Sequence, residues 1–337
     1  MNSKNKILIT GAAGFLGSHL AEKLHNLGHT VVGIDNMMGG YEDNVIKETE
    51  FHKLDCCDLP KIQEVMKGVD IVYHCAATAH EGLSVFSPYE ITKNNYLASV
   101  SIFTAAINNK VKRIVYCSSM ARYGDSKTPF TEDMEPNPID PYAISKVASE
   151  KVLANLCELN NIEYVIAVPH NIIGPRQRYD DPFRNVVSIM LNRMLQKKAP
   201  IIYGDGEQRR CFSYIDDCIS CLIPMMDQKN LHGEIINIGP DEEFVTVNKV
   251  AEICSNISGF NSAPIYKKDR PQEVKHALCS ADKARKLLNY KTKTSLRDGI
   301  IKTYDYIKNR GTKEFDYNIN LEIINDLTPE TWKKKEI

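Results

Sequence analysis

The segment Ile7-Leu8-Ile9-Thr10-Gly11-Ala12-Ala13-Gly14-Phe15-Leu16-Gly17 passes from a β-branched run through a tight glycine turn into an amphipathic stretch, and few folds accept that order of conformations. Gly11 permits the turn, Gly14 lets backbone approach a pyrophosphate, and Gly17 lets a helix pack close to a sheet. The helix start then offers unpaired N–H groups and the positive end of its dipole to an anion. The next strand-like run ends in Asp35, eighteen residues beyond Gly17. A carboxylate there accepts hydrogen bonds from both hydroxyls of an adenosine ribose and repels a 2′-phosphate. The expectation is a dinucleotide site for NAD rather than NADP, lined by Gly11, Gly14, Phe15, Leu16, Gly17, Asp35 and Asn36.

The same grammar continues along the first half. Strands are predicted at Lys6–Thr10, Val31–Asp35, Phe51–Leu54, Ile71–His74, Arg113–Ser118 and Tyr164–Val168. Helices are predicted between them at Phe15–Leu27, Lys61–Lys67, Tyr89–Asn109 and Pro141–Leu159. Strand and helix in regular succession give an α/β fold, a Rossmann-type doubly wound parallel sheet. Beyond Val168 the pattern is irregular and richer in Pro, Gly and Arg, with helices near Phe183–Gln196, Tyr214–Met226, Val247–Ser258, Ala281–Leu288 and Ser295–Lys308. Residues 1–168 and 209–241 are read as the NAD-binding domain, and 169–208 with 242–310 as a smaller, discontinuous α+β substrate-binding lobe on the carboxyl ends of the strands. Residues 311–337 read as a polar tail of uncertain order.

Composition narrows the partners. With 42 Lys+Arg against 43 Asp+Glu in 337 residues, no global basic field attracts nucleic acid. The apolar runs fall far short of the ~20 residues of a membrane helix. Met1–Lys6 leads directly into a strand, leaving no secretory apolar segment, so a cytoplasmic location is expected. Ten cysteines lack the density of a disulfide framework in a chain this long and read as free thiols. Cys218-x-x-Cys221 sits in a predicted helix with no second Cys/His pair at zinc spacing, so no metal site is expected.

Tyr142 and Lys146 are four residues apart, hence on one face of a helix, and Cys117-Ser118-Ser119 ends a strand whose carboxyl edge opens on the cofactor site. The Gly-x-x-Gly-x-x-Gly spacing, with Ser119, Tyr142 and Lys146 as its Ser, Tyr, Lys triad, resembles the extended short-chain dehydrogenase/reductase superfamily and its NAD-dependent epimerase/dehydratase family. Further segments carry the resemblance in order. Asp58-Leu59 matches a pair that flanks adenine, though Asp58 also suits a cap for the helix beginning at Pro60. His74-Cys75-Ala76-Ala77 matches a place where backbone approaches the cofactor, and Asn95 matches a residue near the catalytic strand. The resemblance implies that Tyr142 is the base and that Ser119 holds the substrate oxygen. Lowering a phenol pKa of ~10 by ~3 units takes about 4 kcal/mol, which two partly desolvated cations, Lys146 and the oxidised nicotinamide, can supply.

Which reaction follows from the residues after Ser119. Dehydratases of the superfamily carry Asp-Glu there, decarboxylases a Glu and 3,5-epimerases a Cys; here stand Met120 and Ala121, neither able to move a proton. A 4-epimerase needs no second acid/base, because hydride leaves C4, the keto sugar turns over, and hydride returns to the other face. Arg122 stands where small apolar residues are usual, and nothing in the sequence accounts for it. The resemblance also implies diphosphate ligands at Asn171, Arg210 and Arg270, the two guanidiniums giving bidentate, charge-assisted hydrogen bonds, with Cys211 replacing the usual Asp after the first Arg.

The residue matching the gate over the sugar C2 substituent is Ala277, or Cys279 after a two-residue insertion; both are small and leave room for an N-acetyl group. The expectation is a 4-epimerase of UDP-GlcNAc/UDP-GalNAc, with UDP-Glc/UDP-Gal as a second activity, in nucleotide-sugar metabolism leading to polysaccharide precursors. Two alternatives stay open: an NAD-dependent dehydratase, decarboxylase or 4-keto reductase of the same fold, and a non-catalytic NAD-sensing regulator. His80 and Glu81 either line the sugar pocket or, as loop His-Glu pairs more commonly do, face solvent. A homodimer through the helices near Tyr89–Asn109 and Pro141–Leu159 is implied by analogy with the family.

Overall fold

Seven parallel strands make the central sheet of the structure, a computed structural model that describes residues 4–337. Met1–Ser3, part of the leader considered above, lie outside the described residues. The strands are β1 (Lys6–Thr10), β2 (Thr30–Asp35), β3 (Glu50–Lys53), β4 (Ile71–His74), β5 (Arg113–Cys117), β6 (Glu163–Pro169) and β7 (Ile235–Ile238). Their order is β7-β6-β5-β4-β1-β2-β3, so the chain winds one way from β1 and then the other from β4. Ligands of such sheets bind in the crevice at that reversal. The expected strand positions hold to within a residue or two, and β7 adds to the edge of β6, so a segment far along the sequence completes the sheet.

Both faces of the sheet are covered, which is why its inner strands are largely apolar rather than alternating; all five residues of β5 are buried, while the edge strand β3 keeps exposed ends. Helix α1 (Phe15–Asn26), α2 (Leu59–Val65), α3 (Pro88–Thr92), α4 (Ala98–Asn108), α5 (Pro141–Asn160), α6 (Val186–Leu195), α7 (Ile215–Leu222), α8 (Val247–Ser258), α9 (Asp282–Leu288) and α10 (Leu296–Arg310) follow in chain order. Cys218 and Cys221 are buried in α7, within the core on one face of the sheet.

The helix expected at Tyr89–Asn109 is interrupted. A π-helical turn, Lys93–Leu97, separates α3 from α4. π turns recur where a side chain must be re-aimed. Here Asn95 turns inward: its Oδ1 accepts from the Thr78 N–H at 3.1 Å, and its Nδ2 donates to Thr78 O at 3.0 Å and Ile91 O at 2.8 Å. The loop after β4 is thereby fastened to the helix behind it.

Beyond β6 the chain builds small sheets on the carboxyl side. Arg209–Arg210 pairs antiparallel with Val245–Thr246 and parallel with His276–Ala277, while Ile201–Tyr203 pairs parallel with Ile265–Lys267. Helices α6, α8 and α10 close a separate core beneath them. The segment read as a tail of uncertain order is folded back: Ile319 and Trp332 share a buried cluster with Leu83, Phe86 and Phe183.

Candidate active site

A cavity of about 430 Å³ opens at the β1/β4 reversal and runs between the sheet and the second group of small strands. At its floor α1 begins with Gly14 as N-cap, with no side-chain cap and no acidic residue in its first turn. Its N–H groups are thus left for an anion. A Cβ on Gly17 would stand 2.1 Å from Gly11 O, so only glycine lets the helix sit this close to the turn. Asp35 is buried, and burial raises its carboxyl pKa while the Met37 and Ala13 N–H groups, at 2.7 and 3.0 Å, oppose that and fix its orientation. Asn36, Ala76 and Ala77 complete this wall.

The reactive end lies beside it. Asp140 caps α5, accepting from the Ala143 N–H at 2.9 Å, and the helix then presents Tyr142 and Lys146 on one face. Ser119 caps the 3₁₀ turn Met120–Tyr123, accepting from the Ala121 N–H at 3.2 Å, which aims its hydroxyl at the same cavity. Burial raises the Tyr142 phenol well above its ordinary value, with a hydrogen bond to Ser119 and the charge of Arg184 acting the other way. Lys146 donates to Cys117 O at 2.8 Å and stands 6.0 Å from the Tyr142 ring centre; burial lowers its pKa to about 8. Behind it His74 is held neutral, its pKa pushed down to about 3 by burial, between Thr10 Oγ1 at 2.7 Å and Ser99 Oγ at 2.9 Å.

Arg122 now has its account. Tyr142, Lys146 and Glu150 recur every four residues along α5, and the Glu150 carboxylate is buried against Arg122, with Nε at 3.1 and 3.2 Å and Nη2 at 3.1 Å, and accepts from the Ser118 hydroxyl. The ion pair fastens α5 to the turn that carries Ser119. At the far end of the cavity, Glu273 gathers both arginines: Arg270 Nε at 2.8 Å and Arg210 Nη2 at 3.7 Å. Asn171 lines the space between, its Nδ2 donating to Cys211 O at 2.8 Å.

The chain's relatives share this arrangement of fold. The sequence pattern of the NAD dependent epimerase/dehydratase family matches residues 7–239. The chain belongs to that family. A Methanocaldococcus jannaschii protein that carries the provisional name UDP-glucose 4-epimerase is 34% identical over 308 residues, 90% of this chain and 98% of the relative. A UDP-N-acetyl-alpha-D-glucosaminuronate decarboxylase of Bacillus cytotoxicus is 29% identical, over 90% of this chain and 98% of its own. Among solved structures, the UDP-glucuronic acid 4-epimerase of Bacillus cereus, in complex with UDP-glucuronic acid and NAD, superposes with a TM-score of 0.84 at 32% identity, covering 91% of this chain and all of that one. The UDP-N-acetylglucosamine 4-epimerase of Methanobrevibacter ruminantium, in complex with UDP-N-acetylmuramic acid, gives a TM-score of 0.84 at 28% identity, covering 92% and 100%.

NAD is the family's cofactor, and the uncapped α1 start, the glycine contact and the oriented Asp35 fit it. Several matched positions are used otherwise. Asp58 lies outside the cavity as the N-cap of α2, bonded to Lys61 through its backbone N–H at 3.4 Å and its Nζ at 2.7 Å; Leu59 opens that helix beside it. Capping claims the Asp58 carboxylate, and Asp55 and Cys56 line the cavity in its place. Asn95 acts from behind, through Thr78, while its neighbour Asn94 faces the cavity. Ala277 pairs with Arg210 and is buried in the core rather than on the cavity wall, as is Cys279. His80 is not a solvated loop residue: it is buried, bonded through Nε2 to Asp181 at 2.7 Å. Glu81 is exposed to the cavity, and the protein packed around its carboxyl group, followed by the charge of Asp140, raises its pKa to about 7. The sequence held one signal for these two, a His-Glu pair at the carboxyl end of a strand.

Proposed function

We propose that the enzyme interconverts the C4 epimers of a UDP-hexose, principally UDP-GlcNAc and UDP-GalNAc, with UDP-Glc and UDP-Gal as a second pair. The observation that carries this is the meeting of Ser119, Tyr142 and Lys146 in one cavity with Met120 beside them and no titratable group at 120 or 121. Bound NAD supplies the hydride acceptor and donor. Tyr142 takes the C4 hydroxyl proton and returns it, Ser119 holds that oxygen in line, and the Lys146 ammonium, 6.0 Å from the Tyr142 ring centre, stabilises the phenolate. Gly11, Gly14, Phe15, Leu16, Gly17, Asp35, Asn36, Ala76 and Ala77 hold the cofactor, and Asn171, Arg210 and Arg270 the diphosphate.

A second reading has its own observation. Arg184 lines the cavity near Tyr142 and makes no hydrogen bond or ion pair among the described residues, and Glu81 supplies a carboxyl group to the same space. Those groups favour a sugar carrying a carboxylate, as UDP-glucuronic acid does, or a reaction with net change such as decarboxylation. One experiment separates the readings. Purified holoenzyme is given UDP-GlcNAc, UDP-Glc and UDP-GlcA with no added cofactor, and products are resolved by chromatography and mass. Epimers of UDP-GlcNAc with no lasting 340 nm absorbance are expected. Turnover of UDP-GlcA alone, or loss of mass, sinks the first reading in favour of the second; no turnover of any sugar supports a non-catalytic NAD sensor.

A homodimer belongs to the same proposal. Tyr89, Leu97, Ile144 and Leu159, on α3, the π turn and α5, are each more than half exposed, an apolar set suited to a helical interface between two copies. Light scattering is expected to give twice the chain mass, and a monomer mass for both wild type and Ile144→Asp would remove it. Ten free thiols suit a reducing cytoplasm, where nucleotide-sugar substrates are made.

A further inference from the structure

The chain that follows α10 is built into the substrate end of the cavity. It leaves the helix at Gly311, whose φ of 90° permits the turn. It is then tied down at several places: Asp316 pairs with Arg178 at 2.6 Å, Asn318 donates to Met38 O at 2.8 Å, and the Glu322 carboxylate accepts the Tyr89 and Glu90 N–H groups at 2.8 and 2.9 Å, closing the start of α3. Asn318 and Ile319 line the cavity itself.

Trp332 is the centre of this segment and the chain's one tryptophan. It is 2% exposed, with its ring edge-on to Phe183 at 5.2 Å and close to Tyr203 at 6.1 Å. Its neighbour Thr331 fixes the Tyr203 hydroxyl at 2.6 Å. The Arg270 guanidinium lies 4.9 Å from the Tyr203 ring centre and 5.9 Å from that of Trp332. A guanidinium set against two aromatic rings on one side and a carboxylate, Glu273, on another has few places to go, and a planar fork binds a diphosphate only when it is held in line. The indole also packs edge-on against Phe86 at 6.0 Å, so it joins the apolar cluster around Phe183 to the guanidinium of Arg270.

We infer that Trp332 is a positioning residue that holds Arg270 for the diphosphate of the nucleotide sugar, so that the segment 312–337 is part of the substrate site rather than an appendage. This rests on the reading that Arg270 binds the diphosphate. Because the chain has one tryptophan, its emission reports the contact directly. Titrating the holoenzyme with UDP is expected to change the emission saturably, with the midpoint that calorimetry gives for UDP binding. Trp332→Leu is expected to weaken UDP binding by about threefold to thirtyfold, the range of a cation–π contact. It should raise KM for the nucleotide sugar by more than it lowers kcat and leave the NAD content as purified; Trp332→Phe should recover most of the loss.

If Arg270→Gln binds UDP as wild type does, the diphosphate reading fails and this inference with it. If Arg270→Gln loses UDP binding but Trp332→Leu keeps it, or if UDP binds without altering the emission, the inference alone is overturned. Should Trp332→Leu not fold, the wild-type emission titration and Trp332→Phe decide the matter.

Discussion

Tyr142→Phe should lower the rate of C4 epimerisation by about 10²–10⁴-fold, the range of a positioned general base, while the protein keeps its NAD. The expectation is this clean because the substitution removes little else. Tyr142 is 4% exposed and packs its ring against Ile91 and Ala143, contacts that phenylalanine repeats. What is lost is the oxygen that Ser119 hydrogen-bonds. In the ligand-free protein burial keeps that phenol protonated; the charge of Arg184 acts against this, Lys146 stands 6.0 Å from the ring centre, and bound NAD would add a further positive charge. Single-turnover conversion, with NAD measured after denaturation, checks it. A variant within tenfold of wild type would assign the base elsewhere, with Glu81 the first group to examine.

The second large effect concerns stability. Arg122→Ala leaves Glu150 buried and uncompensated, and removing one member of such a pair typically costs 3–5 kcal/mol. Arg122 and Glu150 expose 3% and 6% of their side chains, so solvent offers little relief. The thermal midpoint should fall steeply, and activity with it, because the pair joins α5 to the Ser118-Ser119 turn. The double variant Arg122→Met, Glu150→Leu should regain most of the stability, since apolar residues of similar volume replace buried ion pairs at little cost. An Arg122→Ala protein that melts with the wild type would show that water or another cation reaches Glu150.

Much of the site was readable because its signals are local. Gly11, Gly14 and Gly17 encode a turn and a helix packing distance, and Tyr142 with Lys146 encode one helical face. Each is a statement about residues near in sequence, and the structure brings them together at the cavity. What could not be read depends on residues far apart. Glu150 continues the four-residue spacing of Tyr142 and Lys146, yet its partner Arg122 is set by the approach of two elements, not by any periodicity. The π turn at Lys93–Leu97 inserts a residue into one turn, a one-residue slip of phase that a reading of Tyr89–Asn109 as a single continuous helix passes over. Asp58 was open to two uses, and the ligand-free structure shows the nearer one, capping its own helix. The segment 311–337 reads as a tail of uncertain order because its composition is polar; Ile319 and Trp332 are spaced too widely to form a pattern and find their partners across the fold.

Glu81 carries a consequence for how the site takes up its ligand. The positive charges of Arg210 and Arg270 are what hold its proton affinity down, against the burial and the Asp140 charge that bring it to about 7. A diphosphate that neutralises those guanidiniums removes that restraint and adds negative charge beside the carboxyl group. If Arg210 and Arg270 hold the diphosphate as proposed, the affinity of Glu81 for a proton rises, and substrate is expected to arrive together with a hydrogen ion drawn from solvent near neutral pH. Binding weakens as the solution becomes more alkaline through that range, although neither the substrate's phosphates nor the arginines titrate there. An acid outside the catalytic triad would thus couple nucleotide-sugar affinity to the acidity of its surroundings.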